Sequence, residues 1–136
     1  MSIEENKKMH RRVYEEVWNK GNLDVVDEIF DDNYIYRLIP QPRVTEFYKA
    51  MYDDFAGAFT DFHCEIEDII AGGDKVMVRT TITGKHIREF WGVAPTGKQI
   101  SVTEIAVVLI KGSKIVEEWD SPDMFNMMQQ LGLSST

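Results

Sequence analysis

Two carboxyl groups are the side chains of this sequence best placed for chemistry, and the first is Asp120. It stands between a segment typical of a strand, Ile115 to Trp119, and a segment that resumes with helical apolar spacing at Met124. A carboxylate at this junction has two roles open to it. It can accept hydrogen bonds from the first amides of the helix, or it can face a cavity at the open end of the sheet.

The second is Glu104, which lies between Val102 and Ala106 in a strand that is apolar on both faces. A carboxylate in such a strand must be hydrogen-bonded, paired with a charge, or shifted towards its neutral form. Such groups are candidates for acid–base catalysis, although a structural ion pair fits equally well. By contrast, the spacing predicts a solvated strand edge for Glu117 and Glu118.

Other chemistries find less support in the residue types. The run Gly92 to Gln99 has the spacing of a phosphate-binding loop, but Gln99 replaces the magnesium-binding Ser or Thr and a strand follows, so we interpret it as a hairpin loop. No metal site is predicted, because His10, His63 and His86 are far apart and lack paired ligands; His10 and His63 are expected at the surface. Cys64 is predicted to be a buried, inert thiol.

The bulk composition narrows the class of protein. A chain of 136 residues fits one domain, 1–136, with a core that needs no disulfide. The net charge is −8 with scattered basic residues, which argues against nucleic acid and anionic membranes as partners. One cysteine, a charged start and no long apolar run predict a cytoplasmic protein without a signal peptide or membrane span.

Periodicity predicts the elements that hold these groups. Helices are expected over Ile3 to Lys20, after Asn22, and from Val44 to Ala58, with a short strand over Tyr34 to Leu38 ending before Pro40 and Pro42. Long consecutive strands then run from Phe62 to Trp119. A last helix follows from Met124 to Leu131. The predicted class is therefore α+β: a strongly curved, mostly antiparallel sheet packed on three N-terminal helices, plus a short C-terminal helix, leaving an apolar cone.

Four stretches together resemble one family. They are listed in chain order: G-N-L-D-V-V-D-E-I-F-D-D-N-Y (Gly21 to Tyr34), T-G-K-H-I-R-E-F-W-G-V-A-P-T-G-K-Q-I (Thr83 to Ile100), K-I-V-E-E-W-D-S-P-D (Lys114 to Asp123) and M-M-Q-Q-L-G (Met127 to Gly132). In this order and spacing they are similar to the SnoaL-like polyketide ester cyclases, of the nuclear-transport-factor-2-like and ketosteroid-isomerase-like fold.

The resemblance implies a cone-shaped α+β barrel and a cofactor-free intramolecular aldol ring closure. It assigns the acid–base aspartate to Asp120 and a pocket histidine to His86. A second pocket histidine of the characterised cyclases is replaced here by Ala106, which removes a hydrogen-bond partner. The remaining candidates for contact with a small hydrophobic substrate are Glu104, Tyr14, Trp18, Tyr36, Phe47, Met51, Phe55 and Trp91. A homodimer is also expected, since one face of the open apolar sheet needs covering.

Strand register sets a condition on this site. A turn at Gly112-Ser113 pairs Asp120 with Ile105 and Trp119 with Ala106, which places Asp120 on the face opposite to Glu104. Asp120 can share the cavity only if a bulge intervenes or the chain has left the sheet.

Three hypotheses follow. The first is an enzyme in which Asp120 removes a proton next to a carbonyl group. The second is a non-catalytic module that binds a hydrophobic ligand or dimerises. The third is a hydrolase or isomerase of the wider superfamily that uses Glu104.

Overall fold

The computed structural model describes residues 2–37 and 44–133. Its helices are α1 (Ile3–Arg12), α2 (Val26–Ile29), α3 (Val44–Phe55) and α4 (Met124–Gln130). Its strands are β1 (Phe30–Tyr36), β2 (Phe59–Gly72), β3 (Lys75–His86), β4 (Gln99–Lys111) and β5 (Lys114–Pro122). The predicted α+β class is confirmed, with three helices before the long strands and one after them. Leu38, Pro40 and Pro42 of the sequence prediction lie outside the described residues.

The five strands form one curved sheet in the order β1-β5-β4-β3-β2. β2 to β5 pair antiparallel in succession, and β1 joins β5 in parallel at one edge. The predicted barrel is wrong, because β1 and β2 are the two edges of this order and the sheet is not closed. The inner face therefore opens onto the helices.

The first predicted helix is interrupted by a change of helical type. α1 begins at a capping box in which Ser2 and Glu5 bond each other's backbone amides, and it ends at Arg12. Val13–Trp18 then forms a π-helical turn, marked by the bond from Asn19 N–H to the carbonyl of Tyr14 at 2.8 Å. The wider turn buries Val13, Tyr14 and Val17.

The Asn19 side chain fixes the end of this turn to the sheet. Its Nδ2 donates to the carbonyl of Cys64 at 2.9 Å, and its Oδ1 accepts from the Cys64 N–H at 2.7 Å. β2 is irregular between Thr60 and His63, just before that point. The two bonds therefore satisfy backbone groups where the ladder is disturbed.

A β-bulge in β5 determines which side chains face inwards. Lys111 pairs with Lys114 and Ile110 with Ile115, but Leu109 pairs with Glu117, which leaves Val116 as an extra residue. Beyond the bulge, Asp120 is opposite Ala106. The predicted pairing of Asp120 with Ile105 is therefore wrong, and the condition set by the register is met by the bulge.

No described helix combines the length and the apolar character that a bilayer crossing requires.

Candidate active site

A cavity of about 240 Å³ lies between the inner face of the sheet and the helices. Its walls are mainly apolar and aromatic, and among the described residues no Lys, Arg or His lines it. Nine of the ten side chains proposed from the sequence line this cavity: Asp120, Glu104, Tyr14, Trp18, Tyr36, Phe47, Met51, Phe55 and Trp91. The volume is slightly below the range of about 300–1,000 Å³ that is usual for ligand pockets, so a large ligand would extend beyond the cavity.

The mouth of the cavity is marked by its exposed lining residues, Ala50 and Asp54 on α3 and Trp91 after β3. Trp91 and Gly92 form a two-residue turn with φ of 48° and 82°, closed by reciprocal bonds between Phe90 and Val93. The left-handed backbone at Trp91 costs about 1–2 kcal/mol for a residue with a Cβ. It leaves the indole 60% exposed and stacked on Phe90 at the cavity rim.

Three carboxyl groups form the polar floor: Glu104, Glu118 and Asp120. Because of the bulge, Glu104 pairs with Pro122, Ala106 with Asp120, and Val108 with Glu118. Directly paired residues lie on one face of a sheet, so all three carboxyl groups point inwards. Glu104 and Asp120 are only partly accessible, and that accessibility is to the cavity they line.

Asp120 does not cap the last helix, which was one of the two roles open to it from its position in the sequence. Asp123 precedes α4, and its Oδ1 accepts the Asn126 N–H at 3.1 Å. Asp120 lies three residues earlier, still within β5. Its side chain is therefore free of the helix and turned to the cavity.

Tyrosine hydroxyls hold two of the carboxyl groups in place. Tyr34 donates to Oε1 of Glu118 at 2.6 Å, and Tyr48 donates to the same oxygen at 3.2 Å. Tyr36 donates to Oδ2 of Asp120 at 2.9 Å. β1 and α3 thus reach across the cavity to the end of β5.

This crowded, apolar setting favours neutral acids. Burial raises the pKa of Glu104 to about 8, with the negative charge of Glu118 as the second cause. Burial also raises the pKa of Asp120 well above its ordinary value; the charges of Glu118 and Glu104 and a hydrogen bond with Glu118 act in the same direction, and the bond from Tyr36 opposes them. Glu104 and Asp120 are therefore both shifted towards their neutral forms.

The nearby tyrosines remain hydrogen-bond donors. Burial is the main cause that raises the pKa of the Tyr14 phenol, followed by the charges of Glu104 and Asp120. Burial and the charge of Asp120 raise the pKa of Tyr36 in the same way. A substrate oxygen at this end of the cavity would meet O–H groups and not phenolates.

Glu118 was missed by the sequence interpretation. The predicted solvated edge is wrong for this residue, which is only 5% exposed. Glu117 does lie on the outer side, where it pairs with Arg37. The signal in the sequence was the pair of tyrosines in β1, Tyr34 and Tyr36, whose hydroxyls need partners when buried. It becomes interpretable only once the bulge is known.

His86 lies outside the cavity, contrary to its proposed place in the pocket. It is fully buried, with its ring 5.3 Å from that of Phe59. Its Nδ1 accepts the Thr96 N–H at 3.1 Å, so it ties the connection after β3 back onto that strand.

His10 is also a correction, because it is buried at 1% exposure where a surface position was expected. α1 lies against β2 and β3, and the His10 ring bonds the backbone of Val76. Burial lowers the pKa of His10 to about 3, which keeps the ring neutral. His63 is at the surface as predicted, beside Glu65 at 3.1 Å.

In the described residues, the structure gives no support to thiol, metal or phosphate-loop chemistry. Cys64 is buried, and burial raises the pKa of its thiol, with Glu104 as the second cause. Within residues 2–37 and 44–133, no group of three or more His, Cys, Asp or Glu side chains is arranged to hold a metal ion. The phosphate-loop-like run connects β3 to β4 without a helix, as predicted.

Comparison with known proteins gives consistent matches. The family model described as SnoaL-like polyketide cyclase matches residues 8–131. The aklanonic acid methyl ester cyclase DnrD from Streptomyces peucetius is 27% identical over 122 residues, which cover 86% of this chain and 84% of that protein.

Solved structures share the fold. TsrD from Streptomyces laurentii superposes with a TM-score of 0.90 at 22% identity, covering 98% of this chain and 99% of that one. A proposed polyketide cyclase from Bacillus cereus has a TM-score of 0.81 at 30% identity, covering 96% of this chain and 83% of that one.

Proposed function

Since the chain belongs to the SnoaL-like polyketide cyclase family, we propose that it closes a ring in a hydrophobic polyketide carbonyl compound without a cofactor. Asp120 is the acid–base group of this reaction. The observation that carries the proposal is a buried carboxyl group, turned into an aromatic cavity and contacted by a tyrosine hydroxyl.

The chemistry requires one proton to move from carbon to oxygen. In its ionised form Asp120 removes the proton next to a carbonyl group, and the resulting enolate attacks a second carbonyl within the same molecule. In its acid form Asp120 returns the proton to the new alkoxide. Near neutral pH, the acid and ionised forms of a carboxyl group with a raised pKa are closer in free energy. The same group can therefore remove the proton and return it.

Charge supports an uncharged substrate. The floor carries carboxyl groups, and no cation lines the described cavity to pair with a substrate carboxylate. DnrD is named for the methyl ester of its acid, which is the neutral form. We propose that this chain likewise takes an ester or ketone in which no free carboxylate enters the cavity.

Asp120→Asn tests the proposal. With aklanonic acid methyl ester and related polyketide esters as probes, ring closure is followed by chromatography and mass spectrometry, because the product is an isomer of the substrate. We expect Asn to lower turnover by about 10²–10⁴-fold, the usual contribution of a positioned acid–base group. The fold should persist, since Asn fills nearly the same volume.

Asp123→Asn is the matched control. Its side chain caps α4 outside the cavity, and Asn caps helices as well as Asp does. It should leave turnover unchanged. Full activity of the Asp120→Asn protein would exclude Asp120 as the acid–base group, and a larger loss in Glu104→Gln would transfer that role to Glu104.

A second candidate function is binding without turnover. It is favoured by Ala106, which lies directly opposite Asp120 and offers no hydrogen bond where the characterised cyclases carry an imidazole. In that case a polyketide ester would bind and be recovered chemically unchanged from the wild-type protein.

A further inference from the structure

Glu118 occupies a more elaborate environment than a structural carboxylate needs. It is buried under β1 and α3, and both tyrosine hydroxyls donate to one oxygen, Oε1, at 2.6 and 3.2 Å. Two O–H donors stabilise negative charge on that oxygen. No cation lies in the cavity wall to balance it, within the part of the chain that the structure describes.

Asp120 is a neighbouring carboxyl group that can supply a proton to this charge. It lies two residues further along the same inner face of β5. Tyr36 occupies its Oδ2, whereas its buried Oδ1 accepts no hydrogen bond from any described N–H or O–H group. A protonated Asp120 can therefore donate to Glu118, and such a bond is among the causes that raise the Asp120 pKa.

We propose that Glu118 is a positioning residue for the proton of Asp120: its tyrosine-held carboxylate accepts a hydrogen bond from the acid form of Asp120, so the pair shares one proton and one negative charge. The inference rests on the proposed function, in which Asp120 exchanges that proton with substrate.

The shared proton explains how one aspartate can act in both directions. Movement of the proton from Asp120 to Glu118 converts Asp120 into a base without releasing a proton to solvent. Asp120 then takes the proton from the substrate C–H bond, the C–C bond forms, and Asp120 gives this proton to the alkoxide. At the end of the cycle the pair again holds one proton and one charge, and no oxidant or reductant is needed.

The other titratable groups around the pair modulate this balance. From β4, the charge of Glu104 acts on Asp120 as the next contribution after that of Glu118. Within the described residues, the other titratable groups that line the cavity with the pair or contact it are Tyr14 on the π-helical turn, Tyr34 and Tyr36 on β1, Tyr48 and Asp54 on α3, and Cys64 on β2. Among these charges, that of Glu118 acts most strongly on Asp120, so its removal should have the largest effect.

The experiment measures the proton directly and without substrate. Side-chain carboxyl carbons are labelled with carbon-13 and titrated by NMR, and the Asp120 signal is assigned by its loss in Asp120→Asn. In wild-type protein Asp120 should titrate well above 3.8. In Glu118→Gln, which keeps an acceptor for both tyrosines but removes the charge, we expect this titration to move down by about one pH unit or more.

Two further variants make the result specific. Glu117→Gln removes the adjacent carboxylate on the outer face and should leave the Asp120 titration unchanged. Tyr48→Phe removes one donor from Glu118, so the shared proton should shift to Glu118 and the Asp120 signal at neutral pH should move towards its ionised position. This variant is used in place of Glu118→Gln if the latter does not fold.

An Asp120 titration that is the same in wild type, Glu118→Gln and Tyr48→Phe would overturn the inference. That outcome is independent of the proposed function, which is tested separately by ring closure in the wild-type protein and in Asp120→Asn. Where turnover is measurable, the pH profile of Glu118→Gln should shift down together with the NMR titration.

Discussion

At the scale of single residues, buried groups make the stability of this protein depend on pH in two opposite ways. The folded-state pKa of Glu104 is about 8 against 4.5 for a free glutamate. The unfolded chain therefore loses this proton first as the pH rises, and folding stability falls between these two values by up to about 1.4 kcal/mol per pH unit. Below pH 4.5 the group has no such effect.

His10 acts in the acid direction. Its pKa is about 3 in the folded protein against 6.5 for a free imidazole, so its neutral form contributes fully above pH 6.5. As the pH falls from 6.5 towards 3, the unfolded chain takes up a proton that the folded protein refuses. Stability from this residue is lost across that window.

Glu104→Gln should separate the two effects. Between pH 4.5 and pH 8 the free energy of unfolding of the variant, relative to wild type, should rise by about 2 kcal/mol or more, because the ionisation cost is gone. Urea denaturation at the two pH values measures this difference. Glu46→Gln, an exposed position on α3, is the control and should follow wild type. Parallel curves for Glu104→Gln and wild type would mean that Glu104 is ionised as easily in the folded protein as in the unfolded chain.

The sequence predicts the burial of some of these residues and not of others, for a physical reason. Glu104 could be predicted because a carboxylate inside a doubly apolar strand is exceptional whatever the register. His10 could not, since its α1 neighbours are charged and only the docking of that helix on β2 and β3 buries it. Glu118 could not either, because its face depends on a count of residues from the turn.

At the scale of elements, the π-helical turn after α1 is held by one side chain. The helix predicted from Ile3 to Lys20 covers both α1 and this turn, because the apolar spacing does not reveal where a helix widens. The widened turn carries Tyr14 and Trp18 into the cavity wall. Its position depends on the two bonds between Asn19 and the backbone of Cys64.

Asn19→Ala should therefore weaken both the fold and the cavity. Two partly buried hydrogen bonds are lost and the backbone groups of Cys64 are left unsatisfied, at a cost of about 2–4 kcal/mol. Urea denaturation gives the loss of stability, and the fluorescence of Trp18 reports a displaced wall. Asn33→Ala, at an exposed position in β1, is the control and should change neither. A stable Asn19→Ala protein with unchanged fluorescence would show that packing alone holds the turn.

At the scale of the whole molecule, none of the described helices covers the outer face of the sheet. Ile70, Met77, Val107 and Trp119 lie directly across from one another on β2, β3, β4 and β5. We call this set the outer row. Ile70 is 61% exposed and Trp119 36% exposed. We propose that a second copy of the chain covers the outer row, in keeping with the homodimer expected from the sequence.

Val107→Lys tests the dimer at the centre of the outer row. Wild-type protein should elute as a dimer by size-exclusion chromatography with light scattering, and the variant should be largely monomeric, because a buried unpaired charge is costly. Phe125→Lys, which also changes an exposed large apolar residue but on α4, should stay dimeric. A monomeric wild type, or a dimer that survives Val107→Lys, would remove the outer row as the interface.

The fold as a whole was accessible from the sequence, and the layout of the polar floor was not. Segregated helices and long hairpin-linked strands define the α+β class without any knowledge of exact pairing. The edges of the sheet were harder to predict. β1 pairs with β5 through only a few residues, and no local pattern in Phe30 to Tyr36 indicates a parallel partner at the other end of the chain.

The unpaired Val116 has a practical consequence for work on relatives of this chain. A relative with the same motif and the same spacing from the Gly112-Ser113 turn, but without the bulge, would place the aspartate opposite the position of Ile105 and send both acids to the outside. A classification based on the motif alone would then mix relatives whose acids face the cavity with relatives whose acids face outwards. The pairing of the last two strands in a structure of each relative, determined before any assay is chosen, would separate them.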